Sequence, residues 1–168
     1  MHRTLPIIAL TALALAACAG GDLPSQPSFY IDLSQPGTVL DANAAQSMIS
    51  GYRGNNGLGP VVIDPELMRL ASDQAAAMAA RDKLDHDAAH PFAERIRKSG
   101  YGAKVAVENI GAGYHTLAEA FSGWRDSPPH RANMLKDGVT RIGIAAVYTP
   151  TSKYKVYWAL ILAAPAGT

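Results

Sequence analysis

The sequence predicts an α+β fold, a three-layer α-β-α sandwich with a small antiparallel sheet between helices. Between residues 41 and 135, helix-start signals recur and are followed by apolar residues at helical spacing. Near the end of the chain, the run Val156–Leu162 is apolar at every position, which is typical of a strand covered on both faces. A sheet with two buried faces needs a helical layer on each side, and this gives three layers.

The first 17 residues predict a signal peptide rather than part of the fold. The basic residue Arg3 precedes an apolar run of 13 residues, Leu5–Ala17. This run is shorter than the ~20 apolar residues that a membrane-spanning helix needs. It ends in Leu15-Ala16-Ala17-Cys18, which resembles a bacterial lipobox. The resemblance implies that Cys18, the single cysteine, carries a lipid. The alternative is a free or buried thiol behind an ordinary signal.

A tether is expected between the lipid and the domain, so that the chain divides into residues 1–17, 18–40 and 41–168. Residues 19–40 are rich in Gly, Ser, Gln and Pro, a composition typical of linkers. Within this stretch, Phe29-Tyr30-Ile31 is interpreted as a patch laid against the domain rather than a membrane contact. Ala19, directly after Cys18, favours the outer membrane of a bacterial envelope by analogy with lipoprotein sorting in enteric bacteria.

Three helices are predicted in the first half of the domain. Asp41 precedes the first of them. Asp64-Pro65 starts the second, since it combines an N-cap residue with proline at the first helical position. This second helix is expected to end at Asp85-His86. The third helix is expected over Phe92–Ser99, with Gly100 just after its end.

The second half of the domain is predicted to contain strands and two further helices. Val105–Val107 predicts a strand that ends at Glu108. Thr116–Glu119 has the pattern of a capping box, and Ser127-Pro128 is expected to cap and start a shorter helix. Two strands joined as an antiparallel hairpin complete the domain, Ile142–Tyr148 and Tyr154–Leu162.

The charge balance excludes one class of function. The formal net charge of +1 falls to 0 when the signal, which contains Arg3 and no acid, is removed. The chain has no run of clustered Lys and Arg, whereas nucleic-acid binding needs a basic face. We therefore expect no nucleic-acid partner. The expected partners are the membrane, through the N-terminal lipid, and an unidentified ligand in a cleft.

The candidate site consists of His86, Glu108 and His130. Two neutral imidazoles and one carboxylate suit zinc or another divalent metal, with a fourth position open to water. They also suit acid–base chemistry. The alternative interpretations are a polar residue at a helix end for His86, an exposed residue in a first helical turn for His130, and a structural carboxylate for Glu108. The sequence by itself does not show that the three side chains converge.

An ordered set of motifs resembles the bacterial branch of the CAP superfamily, named for cysteine-rich secretory proteins, insect venom antigens and plant pathogenesis-related proteins. The resemblance covers about residues 41–164. It implies an α-β-α sandwich and a cleft lined by two histidines and usually two acids, where members hold divalent metal. The motifs that carry it are Met48-Ile49-x-x-Tyr52-Arg53, Gly57–Pro60, Asp64–Leu67, Asp85-His86, Glu108–Ile110 and Ser127–Leu135.

By position, His86 resembles the first histidine of that cleft, Glu108 its first acid and His130 its second histidine. The second acid would fall three residues after Trp124, where this chain has Ser127. Three hypotheses follow. The favoured one is a lipid-anchored envelope module whose cleft binds a divalent metal or a small or lipidic ligand without clear catalysis. The alternatives are a metal-assisted hydrolase acting on envelope material and a structural interaction module.

Overall fold

The computed structural model describes residues 26–166, so the signal peptide and Cys18 lie outside the described part of the chain. No helix within these residues is long and apolar enough to cross a membrane. In chain order the elements are a 3-10 helix (Ser28–Tyr30), α1 (Ala42–Asn55), β1 (Val62–Ile63), α2 (Pro65–Arg81), α3 (Phe92–Lys98), β2 (Ala103–Ala112), α4 (Leu117–Asp126), α5 (Pro128–Met134), β3 (Arg141–Tyr148) and β4 (Val156–Pro165).

The four strands form one sheet in the order β1-β3-β4-β2. β4 pairs antiparallel with β3 on one side and with β2 on the other, as the predicted hairpin requires. The sheet is nevertheless mixed, because the two-residue strand β1 pairs in parallel with β3. An element of two residues is too short to show a period of alternation, so the sequence did not reveal it. β2 is left at one edge of the sheet.

Alternate residues of β4 point into two separate cores, which confirms the three-layer prediction. Trp158 and Leu160 belong to the core that the sheet shares with α1, α4 and α5. Tyr157 and Ile161 belong to the second core, which the sheet shares with α2 and α3. Every residue of β4 from Val156 to Ala164 is buried, because helices cover both faces of this central strand.

Most helix starts follow the predicted capping chemistry. The side chain of Asp41 accepts a hydrogen bond from the Ala44 amide at the start of α1. Asp64 caps α2, and Thr116 and Glu119 form the expected capping box of α4. These caps satisfy backbone N–H groups that have no partner within the helix.

Two expectations at helix ends were wrong. α2 ends at Arg81, because Asp82 adopts a left-handed conformation (φ 48°) that stops the helix, so His86 lies in the following loop. Ser127 occupies the N-cap position of α5, but its side chain makes no capping hydrogen bond. An N-cap side chain accepts from the N–H of the second or third helical residue, and Pro129 at the second position has no N–H to donate.

The segment from residue 26 to residue 40 differs from the expected tether. Leu33 is 5% exposed and belongs to the core around α1 and α4. Its backbone N–H donates to the carbonyl of His115 at 2.8 Å. Phe29 and Leu40 pack against the same core. The part of the predicted tether that the structure describes is therefore laid onto the domain. Of the patch Phe29-Tyr30-Ile31, which was expected to contact the domain, Phe29 packs against the core, whereas Tyr30 and Ile31 are exposed.

Candidate functional site

Glu108 lies in the middle of β2 rather than at the end of a strand. It pairs with Ile161 in the sheet register, so its side chain points to the face covered by α2 and α3. Only 2% of that side chain is exposed. A carboxylate this deeply buried needs charged or hydrogen-bonding partners to offset the cost of leaving water.

Both carboxylate oxygens of Glu108 have such a partner. The Nη2 group of Arg95, on α3, donates to Oε2 at 2.6 Å, and the Arg95 side chain is itself 4% exposed. The Nδ1 atom of His86 lies 2.8 Å from Oε1. The Arg95 Nη1 group hydrogen-bonds to nothing in the described part of the chain, while its guanidinium lies 5.2 Å from the centre of the Phe92 ring. That position is favourable for a cation–π contact.

Arg95 is the site residue that sequence reasoning missed. The signal was available, since a buried acid requires a cation nearby and α3 carries three basic residues, Arg95, Arg97 and Lys98. Only Arg95 lies beside Ile96 on the buried face of this helix. Glu108 therefore has the structural role that was its alternative interpretation, because its ion pair with Arg95 joins β2 to α3.

The loop that carries His86 is fixed by hydrogen bonds to the buried side chain of Gln74. Gln74, on α2, is fully buried and donates through Nε2 to the carbonyls of Asp85 at 2.7 Å and His86 at 3.1 Å. Its Oε1 accepts from the Ala89 amide at 3.2 Å. Arg95 also donates to the His86 carbonyl, at 3.2 Å. The backbone at His86 is thus fixed relative to α2 and α3.

The His86 ring is buried on one side and open on the other, with 53% of the side chain exposed. The hydrogen bond with Glu108 raises the pKa of His86 above its ordinary value, against an opposing effect of partial burial. Next to a carboxylate, a neutral imidazole carries its proton on Nδ1 and donates it. Nε2 then has a free lone pair, which is the arrangement of a metal-ligating histidine supported by a carboxylate.

His130 comes from the opposite helical layer, on α5, and is half-buried. Two asparagines fix this helix against β2. Asn109 donates through Nδ2 to the His130 carbonyl at 2.9 Å. Asn133 donates through its Nδ2 to the Glu108 carbonyl and to the Asn109 side-chain oxygen, both at 2.9 Å. The backbones of His130 and Glu108 are therefore tied together through the edge strand.

The surroundings of the two histidines shift their pKa values in opposite directions, that of His86 upward and that of His130 downward. Burial lowers the pKa of His130, and the positive charge that His86 takes up on protonation lowers it further. Because His86 comes from the α2–α3 layer and His130 from the layer of α5, the pair spans the edge strand β2. Glu108 is thus bonded to His86, and the backbone of the strand that carries Glu108 is tied to the helix that carries His130.

Neither Asp126, the neighbour of Ser127, nor Asp87, the neighbour of His86, completes this group in the structure. Asp126 is exposed and its carboxylate pairs with Arg125 at 2.8 Å. Asp87 is exposed in the His86 loop. Within residues 26–166, no group of three His, Cys, Asp or Glu side chains is placed to hold a metal ion together. Since both Glu108 oxygens are engaged, the donors open to a metal are the two imidazoles, with Glu108 acting behind His86.

The sandwich and the group at its edge strand define the class of protein. Residues 46–162 match the model of the CAP family, described as the cysteine-rich secretory protein family, so the chain belongs to that family. This confirms the resemblance carried by the motifs. A curated relative is the uncharacterized protein YkwD of Bacillus subtilis, 33% identical over an alignment of 129 residues that covers 67% of this chain and 50% of the relative. The chain thus spans about half the length of that relative.

Solved structures share the same fold at low sequence identity. An outer surface protein of Borrelia burgdorferi superposes with a TM-score of 0.67 at 20% identity, over 75% of this chain and 93% of that one. An extracellular protein of Bacillus anthracis that contains an SCP domain gives a TM-score of 0.63 at 20% identity, over 72% of this chain and 39% of that one. At this identity the likeness establishes the fold.

Proposed function

We propose that the protein is a lipid-anchored CAP-domain module of the bacterial cell envelope that binds a divalent cation, such as Zn²⁺, through His86 and His130 without catalysing a reaction. The observation that carries the proposal is the 2.8 Å contact between His86 Nδ1 and Glu108 Oε1. Support for the location comes from the lipobox-like segment that ends at Cys18 and from the structural neighbours, an extracellular protein and an outer surface protein.

The arrangement favours binding because it prepares one imidazole in advance. Glu108 orients the His86 ring and selects the tautomer with a free Nε2, so less ordering remains to be done when a cation arrives. His130 supplies a second nitrogen from the neighbouring layer, and burial favours its neutral, ligating form. The remaining coordination positions would be taken by water or by a polar group of a partner.

The same geometry argues against the hydrolase alternative. A metal-assisted hydrolase needs an acid or base that reaches a water molecule. Glu108 is buried and its two oxygens are held by Arg95 and His86. Ser127 stands where the second acid of the family's cleft would fall. A non-catalytic role requires neither a free Glu108 carboxylate nor an acid at position 127.

Calorimetric titration with ZnCl₂ tests the proposal on the chain from Cys18 onward, with the thiol blocked so that Cys18 cannot bind the metal. The wild type should release binding heat, and the double variant His86→Ala/His130→Ala should lose it. The matched control is His90→Ala/His115→Ala, which removes two histidines outside the site and should keep the wild-type isotherm.

Equal heats in the wild type and in the His86/His130 variant would overturn cation binding and leave the structural interaction module as the better interpretation. Far-ultraviolet circular dichroism on each variant separates a lost site from a lost fold. None of the four replaced histidines is fully buried, so we expect both double variants to remain folded.

A further inference from the structure

The described domain begins beside an apolar surface. Gln26 is followed by the 3-10 helix Ser28–Tyr30, where Tyr30 is 51% exposed and Ile31, directly after it, is 37% exposed. The helix and α1 enclose a shallow apolar hollow, lined by Pro27, Ser28, Phe29, Ala44, Ser47 and Met48. We call the hollow together with Tyr30 and Ile31 the N-terminal face.

The chain length before Gln26 limits how far this face can lie from a lipid at Cys18. Eight residue-to-residue steps separate Cys18 from Gln26, and at full extension they span at most about 29 Å. A domain of this size is roughly 35–40 Å across. Because Leu33 fixes the following segment to the core, residues after Gln26 add no further reach. The surface opposite Gln26 cannot turn to the lipid, whereas the N-terminal face is always near it.

We propose that the N-terminal face rests on the surface of the lipid bilayer in which Cys18 is anchored. This inference rests on the lipid anchor of the proposed function. A tyrosine combines an apolar ring with a hydroxyl and is favoured at the boundary between headgroups and acyl chains. A short tether raises the effective concentration of the face at the membrane to the millimolar range, so a weak intrinsic affinity is enough.

The polar groups around the N-terminal face are compatible with a neutral membrane surface. Asp32, the acid next to Ile31, accepts hydrogen bonds from the Ser34 amide at 2.8 Å, from the Ser34 hydroxyl and from the Gln35 side chain. Asp41 accepts from the Ser28 hydroxyl at 2.8 Å. These neutral donors stabilise the two carboxylates, which keep their negative charge and would be repelled by an anionic surface. Neutral phosphatidylcholine is accordingly the bilayer to test.

The test places a tryptophan at the N-terminal face and asks whether lipid chains quench it. Cys18 is the only cysteine, so a maleimide-bearing lipid couples the chain to vesicles at that position alone. The chain from Cys18 onward keeps every described residue. Tyr30→Trp is coupled to phosphatidylcholine vesicles with brominated acyl chains. Trp124 and Trp158 are 1% and 0% exposed and give a constant background, which the coupled wild type measures.

The matched control is Leu84→Trp, because Leu84 is 47% exposed and follows α2 in the helical layer on the other side of the sheet. We expect quenching at position 30 about twofold or more greater than at position 84, since bromine quenches only at short range and aromatic rings settle at the membrane boundary. Equal quenching at the two positions, or none at either, would overturn the proposal.

A second copy of the chain is the alternative occupant of the N-terminal face, and the same experiment detects it. Pairing of two copies would change the emission of the tryptophan at position 30 in proportion to the density of coupled protein, without quenching by bromine. That result would also overturn membrane docking. Because the coupling is chemical, the outcome does not depend on whether cells lipidate Cys18, which is tested separately by the fractionation of Cys18→Ser.

Discussion

At the scale of single residues, Arg53 is a buried cation that lies outside the candidate site. Its side chain is 1% exposed and forms no salt bridge within the described residues, yet its guanidinium donates to four backbone carbonyls. Burial lowers the pKa of Arg53, and Asp137 opposes this shift. The accepting carbonyls are those of Gly59, Met134 and Lys136, each at 2.9 Å, and Val139 at 3.3 Å. One side chain thus joins the end of α1 to the loop that follows α5.

Replacing Arg53 should therefore be costly. Arg53→Ala leaves buried carbonyls without donors, and we expect the free energy of unfolding to fall by about 3–5 kcal/mol. Urea denaturation followed by circular dichroism measures this change. The matched control is the exposed Arg97→Ala, for which we expect a change within about 0.5 kcal/mol. Similar losses for the two variants would show that the carbonyl contacts contribute little.

At the scale of elements, the segment 26–40 behaves as part of the domain although its composition is that of a linker. Its attachment depends on few residues, chiefly Leu33 in the core and the hydrogen bond to the His115 carbonyl. Scattered apolar residues among Gly, Ser and Pro show no period, so the sequence pattern does not distinguish a segment packed against the domain from a flexible tether.

Leu33→Ala distinguishes the two descriptions. If the segment is docked, removing this buried side chain should lower the free energy of unfolding by about 2–4 kcal/mol, as for other core leucines. Thermal and urea denaturation both report the loss. Val39→Ala, in the same segment but 81% exposed, should change stability by no more than about 0.5 kcal/mol. If the two variants were equally stable, the segment would be a tether after all.

At the scale of the whole molecule, two proposals concern different parts of the domain. The lipid at Cys18 and the N-terminal face would hold the domain close to a membrane, and His86 and His130 would bind a cation. The N-terminal face involves α1 and the preceding segment, whereas the histidines lie at the edge strand β2. The proposed cation binding and the proposed membrane contact therefore involve separate surfaces. Each can be removed without altering the residues of the other.

Replacing Cys18, the residue proposed to carry the lipid, should release the protein from membranes. Cys18→Ser cannot form the thioether to which the lipid is attached, so we expect the variant in the soluble fraction or as an unprocessed precursor. Immunoblots of fractionated cells measure this, and Ser25→Ala in the same stretch serves as the neutral control. A processed Cys18→Ser protein that still fractionates with membranes would contradict the lipobox interpretation.

Local chemistry in the sequence was sufficient for much of the fold. Asp41, Asp64 and Thr116 indicate three helix starts because a cap is formed by residues a few positions apart. The uninterrupted apolar run of β4 predicts a strand buried on both faces, and hence three layers. Histidine and acid positions could be singled out because the ordered motifs resemble a known family.

Only the tertiary structure decided what the polar residues do. Arg95 meets Glu108 across 13 residues of sequence, and Asn133 meets Glu108 across 25, so no local pattern encodes either contact. These pairings turn Glu108 from a candidate ligand at a strand end into a buried carboxylate that orients His86. The physical reason is that burial, which forces a charged group to find its partners, depends on how the layers pack, and packing joins residues that lie far apart in the chain.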